Sequence, residues 1–188
     1  MDFQQLLQPR SCGCGMEHTC AIKRVEIGYR ALERLPAFTE AYAHILVVAD
    51  ANTYGTCGSR VEALLGTKRT RSLVFPVDKL LVPNEEAISI IQAQLTIETD
   101  LILGIGSGVI QDLCKYVSFE AGLPYQIIAT APSMDGYASK GAAMIIGNMK
   151  ITYNAHVPEA ILGDLDVLKN APMELIQSGY GDISATRW

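Results

Sequence analysis

From about residue 21 the chain alternates short apolar runs with longer stretches whose apolar positions recur every three or four residues. Residues 23–27 (KRVEI) alternate polar and apolar side chains and predict a strand. Leu32, Leu35 and Phe38 fall at helical spacing within 31–43, where Pro36 either interrupts the helix or starts its second half. Residues 44–49 (HILVVA) read as a buried strand ending at Asp50. A helix is expected over 53–65, stopped by Gly66, and a short strand over 72–75. Pro83-Asn84-Glu85-Glu86 opens a helix carrying Ala87, Ile88, Ile91 and Leu95. The pattern then repeats as a strand over 100–103, a helix over 107–119 and a strand over 125–129.

Strands that alternate with helices predict βαβ units, a mostly parallel sheet and helices on both faces. The expected fold is α/β, Rossmann-like, with a mostly parallel sheet. In such sheets ligands bind outside the carboxyl ends of the strands. Asp50, the glycine-rich 104–108 and the polar 130–133 fall at three such ends. Past residue 140 the pattern weakens. Residues 142–146 and 150–153 predict a hairpin around Gly147-Asn148, and 160–163 a strand ending at Asp164. A helix begins over 172–177, and Ser178-Gly179-Tyr180-Gly181-Asp182 is expected to break it. This divides the chain into a cysteine-rich arm (1–20), the α/β domain (21–170) and the start of a helical domain (171–188).

Composition narrows the function. The chain has 188 residues, 49% of them apolar, which fits a folded globular protein. No apolar run approaches the length of a membrane helix, and the N-terminus has no basic region followed by an apolar one. The expectation is a cytoplasmic protein that does not insert into membranes. The net charge of −5, with both signs interspersed, argues against nucleic acid as a partner. Five cysteines, two of them in segments that read as helices, do not look like a disulfide framework.

The stretch TDLILGIGSGVIQDLCKYVS raises the first chemical question. Glycines let backbone amides approach a ligand, and the N-terminus of the following helix carries partial positive charge. Gly106, Ser107 and Gly108 then suit a phosphate or pyrophosphate. GIGSG is neither G-x-G-x-x-G nor a P-loop, and a tight turn without a ligand is the competing reading. Asp50 suits ribose hydroxyls, or else caps the next helix. Thr130 and Ser133 are short hydroxyl donors beside Pro132, suited to a cofactor or to turn duty.

GIGSGVIQDLCKYVS, TAPSMDGYAS and SGYGD, in that order and spacing, resemble the glycerol-1-phosphate dehydrogenases. These belong to the superfamily of iron-type alcohol dehydrogenases, glycerol dehydrogenase and dehydroquinate synthase. The resemblance runs from about Ile22 to Asp182 and includes VVADANTY and KITYNAHVPEAILGDLDVL. It implies a nucleotide-binding α/β domain, a helical C-terminal domain and a divalent metal in the cleft between them. The implied reaction interconverts dihydroxyacetone phosphate and sn-glycerol 1-phosphate with NAD or NADP, for glycerophospholipid synthesis. Carried over onto this sequence, Gly106, Ser107, Gly108 and Asp112 match the pyrophosphate motif. Thr130, Ser133 and Ser139 match further cofactor contacts. Asp135 matches a substrate-binding aspartate and Asp182 a metal-ligating one, and the resemblance implies that both bind substrate and act at the reacting centre. The substrate is a phosphorylated polyol, and the resemblance implies a homo-oligomer.

One aspartate does not hold a catalytic zinc, which takes three protein ligands and an open position. None of His18, His44 and His156 matches the family's metal histidines, and ISATRW departs from the family's usual continuation. The chain therefore reads as a nucleotide-binding half, truncated at the start of the helical domain and inactive by itself. An apolar interdomain surface is expected to be exposed. Zinc, nickel and iron stay open as the metal, and Asp50 disfavours the 2′-phosphate of NADP. The alternatives are a glycerol dehydrogenase-like enzyme, against which Asp135-Gly136-Tyr137 argues, or a non-catalytic nucleotide-binding remnant. Separately, Cys12, Cys14, His18 and Cys20 place four soft ligands within nine residues, either a second metal site or an arm of free thiols.

Overall fold

The computed structural model describes residues 3–78 and 80–185. The ends of the predicted arm (residues 1 and 2) and of the 171–188 segment (residues 186–188) lie outside them. The elements run, in chain order, α1 (Phe3–Leu6), β1 (Arg10–Ser11), β2 (Glu17–His18), β3 (Arg24–Gly28), a 3₁₀ turn (Ala31–Arg34), α2 (Leu35–Phe38), β4 (His44–Asp50), α3 (Ala51–Leu65) and β5 (Arg69–Phe75). They continue with α4 (Glu85–Gln92), β6 (Leu101–Gly106), α5 (Gly108–Ala121), β7 (Tyr125–Ala129), a 3₁₀ turn (Gly136–Ala138), β8 (Gly141–Ile146), β9 (Met149–Asn154), β10 (Ala160–Asp164), α6 (Leu165–Leu168) and α7 (Met173–Ala185).

Six strands form one sheet in the order β3-β10-β7-β6-β4-β5, every neighbouring pair parallel. Burial follows from that topology. The inner strands β4, β6, β7 and β10 are apolar along nearly their whole length because helices cover both faces. The edge strands β3 and β5 carry Arg24, Glu26, Arg69 and Arg71, charges that discourage pairing with another sheet. Residues of alternate parity feed two cores. Leu46, Val48 and Ile102 pack with Ile88 and Ile91 of α4 and with Ile110, Leu113 and Val117 of α5. Ile45, Val47, Leu101, Leu103 and Ile105 pack with Val61 and Leu65 of α3 and with Leu32 and Leu35.

The chain leaves β4 for β5 on one side and returns to β6 on the other. The carboxyl ends of β4 and β6 therefore flank a topological switch point, where crevices form in such sheets. The β8–β9 hairpin turns through Gly147 (φ 58°) and Asn148 (φ 62°), the left-handed pair that a two-residue turn with right-handed strand twist requires.

Four expectations need correction. The strand expected over 100–103 runs on to Gly106, so Gly104 and Gly106 lie inside β6 and not in the turn. The helix expected over 31–43 is a 3₁₀ turn followed by one short α-turn ending at Phe38, with Pro36 in the α-turn's first residues. Leu95 lies beyond α4, which stops at Gln92. The expected break at 178–182 does not occur: α7 runs continuously through Gly179 and Gly181.

Candidate functional site

At the switch point Asp50 ends β4 and Ser107 follows β6. With Asn52, Pro76, Leu81 and Val109 they line a cleft. Asp50 caps α3: its Oδ1 accepts the Thr53 N–H at 2.9 Å, and the Thr53 hydroxyl accepts the Asp50 N–H at 3.1 Å. This is a capping box, so the capping reading of Asp50 holds while its carboxylate still borders the cleft. The N-terminus of α5 differs. Ser107 makes no side-chain cap, whereas α3 and α4 are capped by Asp50 and Asn84. A 14-residue helix thus points its first amides at the cleft without a side-chain acceptor.

The three glycines divide by role. A Cβ on Gly106 would lie 2.6 Å from Cβ of Ile110, and one on Gly104 2.8 Å from Cδ1 of Ile127. Both are small so that α5 can lie close on β6. A Cβ on Gly108 would meet nothing within 4 Å. Gly108 is the first residue of α5, between Ser107 and Val109, which line the cleft. The Gly106 carbonyl accepts the Thr130 N–H at 3.2 Å and ties the two rims.

Asp112 lies one turn into α5 and faces the hairpin rather than Asp50. Its carboxylate takes the Ala143 N–H and stands 3.8 Å from Lys115 Nζ. Lys115, 1% exposed, donates to the Gly141 carbonyl at 2.7 Å and to Ser139 Oγ at 3.2 Å. Asp112 and Ser139 are therefore joined through Lys115. Gln111, also buried, donates to the carbonyls of Gly136 and Tyr137. Sequence reasoning missed Gln111 and Lys115. The signal was there, in polar residues that interrupt the inner face of α5 between Ile110, Leu113, Cys114 and Val117.

Burial pushes the Asp112 carboxyl up to about 6, against the pull of Lys115. Burial likewise lowers the Lys115 ammonium, opposed by Asp112. A folded-state pKa above the unfolded value favours folding fully below about pH 4, and that contribution is lost as pH rises through about 6. The raised affinity for a proton corresponds to about 3 kcal/mol, at about 1.4 kcal/mol per tenfold change in acidity. The stability difference between wild type and Asp112→Asn, from urea unfolding at pH 4 to 7.5, is expected to change by about this amount with that sign. A difference independent of pH would contradict it.

The remaining residues gather where the 130–138 loop meets α7. Thr130 is buried, Ser133 half-buried, and Tyr137 donates its hydroxyl to the Ala131 carbonyl at 2.8 Å. The Asp135 N–H donates to Asp182 Oδ2 at 2.8 Å, bringing together two aspartates 47 residues apart. What sets α7 there is Gly179: a Cβ on it would overlap the Pro132 carbonyl oxygen and lie 2.8 Å from its carbon. On the exposed side of α7, Met173, Tyr180 and Ile183 present apolar surface.

Comparison with known proteins decides the family. A family model described as iron-containing alcohol dehydrogenase matches residues 26–172. The chain belongs to that family. A curated glycerol-1-phosphate dehydrogenase, named for NAD(P)+, from Halalkalibacterium halodurans is 34% identical over 184 residues, covering 92% of this chain and 45% of the relative. The chain thus spans less than half the length of that relative. A glycerol dehydrogenase structure from Schizosaccharomyces pombe superposes with TM-score 0.72 at 25% identity, over 88% of this chain and 43% of that one. An iron-containing alcohol dehydrogenase from Thermococcus thioreducens shares the fold, with TM-score 0.75 at 16% identity over 86% of this chain and 50% of that one.

For a member of the iron-containing alcohol dehydrogenase family, the metal question is specific. Among the described residues, one group of three metal-ligating side chains lies close enough to share an ion, and it is Cys12, Cys14 and His18 in the arm. Asp182 belongs to no such group. His44 stands beside Glu98 at 3.8 Å and His156 beside Ser118 at 2.7 Å, away from Asp182's partners. The described residues do not by themselves build the metal centre implied at Asp182. No described helix is long and apolar enough to cross a membrane.

Proposed function

We propose that this chain is the nucleotide-binding half of a cytoplasmic, NAD(P)-dependent glycerol-1-phosphate dehydrogenase acting on a phosphorylated polyol. Residues 21–170 form its nucleotide-binding unit, and the whole enzyme is a homo-oligomer. The observation that carries this reading is the α5 N-terminus, which lacks a side-chain cap and opens on the switch-point cleft opposite Asp50. Ser107 and Gly108 receive the pyrophosphate, and Asp50 receives a ribose hydroxyl while it caps α3. Gly106 and Asp112 act one step back, Gly106 by seating α5 on β6 and Asp112 by fixing the hairpin with Lys115. Thr130, Ser133 and Ser139 border the path of the cofactor from the cleft toward Asp135. The bound cofactor supplies the hydride; the chain supplies position and charge. Asp135 and Asp182, held together, present carboxylates to the substrate end, and Asp182 is the residue this chain offers to a divalent metal such as zinc, nickel or iron.

Calorimetric titration with NADH tests the reading. Wild type is expected to bind, and Gly108→Val to weaken binding at least about tenfold, which is about 1.4 kcal/mol. Its urea midpoint should stay within error, because nothing stands where the side chain would go. Binding unaffected by EDTA places the nucleotide site apart from any metal. Equal affinity in wild type and Gly108→Val, or no binding by a folded wild type, would sink the cleft as the nucleotide site.

A further inference from the structure

The N-terminal arm has no counterpart in the chemistry above. Between Gln8 and Cys20 every side chain is exposed, yet the segment is ordered into a hairpin. Its strands have two residues each, pairing Arg10 with His18 and Ser11 with Glu17. Two such strands without apolar cover do not hold a hairpin in water, and small units of this kind are commonly closed by a metal or a disulfide. The turn brings the ligands together. The Cys12 N–H donates to the Met16 carbonyl at 3.1 Å, and the Gly15 N–H to the Cys12 carbonyl at 3.0 Å. Gly15 sits at φ 82°, a left-handed position that suits glycine. Cys14 Sγ and His18 Nε2 are 3.2 Å apart, and the ligand atoms of Cys12, Cys14 and His18 all lie within 4.8 Å of one another. Around a tetrahedral zinc, with bonds of about 2.3 Å to sulfur and about 2.0 Å to nitrogen, ligand atoms are about 3.6 to 3.8 Å apart. Small side-chain rotations on an exposed turn span that difference.

We infer that Cys12, Cys14 and His18 form a structural site for a thiophilic divalent cation, zinc being the natural occupant, which closes the arm's hairpin. Two thiolates and an imidazole select zinc over magnesium or calcium. The fourth position goes to water, since Cys20 lies outside the group. The site is distinct from Asp182, which does not belong to this group.

Cobalt titration of the reduced, metal-free full chain tests this. The expected result is one equivalent bound, with thiolate-to-cobalt charge transfer and tetrahedral d–d absorption, both erased by zinc. Cys12→Ser, Cys14→Ser and His18→Ala should each weaken binding by about 100-fold or more, at least what loss of an outer-shell partner costs. Cys20→Ser and Asp182→Asn should leave the spectrum and stoichiometry unchanged. Circular dichroism should show every variant folded, because the ligands contribute nothing to the core. Absence of charge transfer in the reduced wild type would overturn the site. So would a signal that survives in the Cys12→Ser, Cys14→Ser double variant. A loss in Cys20→Ser equal to that in Cys12→Ser would overturn the three-ligand assignment, and a loss in Asp182→Asn would move the ion elsewhere.

Discussion

Gly179→Ala is expected to destabilise the protein by about 2–3 kcal/mol, although alanine is the better helix former by about 1 kcal/mol. The sign follows from where the Cβ would go. At Gly179, buried on α7, it would overlap the Pro132 carbonyl oxygen and crowd the carbonyl carbons of Pro132 and Ser133. Backbone cannot rotate out of the way as a side chain can, so α7 must lift off the loop. Lifting it separates Asp182 Oδ2 from the Asp135 N–H, now 2.8 Å apart. Gly181 is the control, since a Cβ there meets nothing within 4 Å. Gly181→Ala should stabilise by up to about 1 kcal/mol. Urea unfolding of the two variants, with hydrogen exchange at the Asp135 amide, checks the pair. Faster exchange in Gly179→Ala and not in Gly181→Ala is expected. Equal midpoints and equal exchange would mean that α7 does not depend on that close approach.

Lys115→Met is expected to cost about 3–5 kcal/mol at pH 8, the range for removing one partner of a buried ion pair. Methionine fills similar space, so the loss is electrostatic rather than a cavity. The ammonium donates to the Gly141 carbonyl and Ser139 Oγ and is the near counter-charge of Asp112. Without it the half-buried Asp112 carboxylate is left beside the Ala143 N–H alone among those close partners, and its pKa moves further up. Below that raised pKa the carboxyl is neutral and needs no cation, so the cost should shrink at pH 5. Urea midpoints of wild type and Lys115→Met at pH 8 and pH 5 test both size and slope. A small loss, or one independent of pH, would show that Lys115 is held by its hydrogen bonds and does little for Asp112. Because Ser139 and Gly141 flank the base of the β8–β9 hairpin, NADH affinity should fall with the same variant.

Much of the layout is local and therefore legible along the chain. The apolar runs of β4, β6, β7 and β10 and the three-to-four spacing of α3, α4 and α5 name the α/β alternation without any knowledge of neighbours. Gly147-Asn148 names its turn because few pairs adopt two left-handed positions. Alternation in turn places Asp50, Ser107 and Thr130 at one rim, since strands in a parallel sheet all end on the same side. The arm's ligands lie within nine residues, so their proximity is local as well. What a residue does once a distant segment arrives was not legible. Gly104 and Gly106 read as loop glycines, but Ile110, Cys114 and Ile127 press on them and make them packing glycines inside β6. Gly179 and Gly181 read as a break because glycine weakens helices, yet Pro132 requires a residue without a side chain at the first of them. Lys115 looked like any helix lysine until the hairpin closed over it. By itself, then, the sequence determined the alternating α/β layout, the polar rim of the sheet and the clustered ligands of the arm. Only the tertiary structure decided which glycines pack, which lysine is buried and that Asp135 meets Asp182, because each depends on atoms brought together from far along the chain, and no local pattern records that approach.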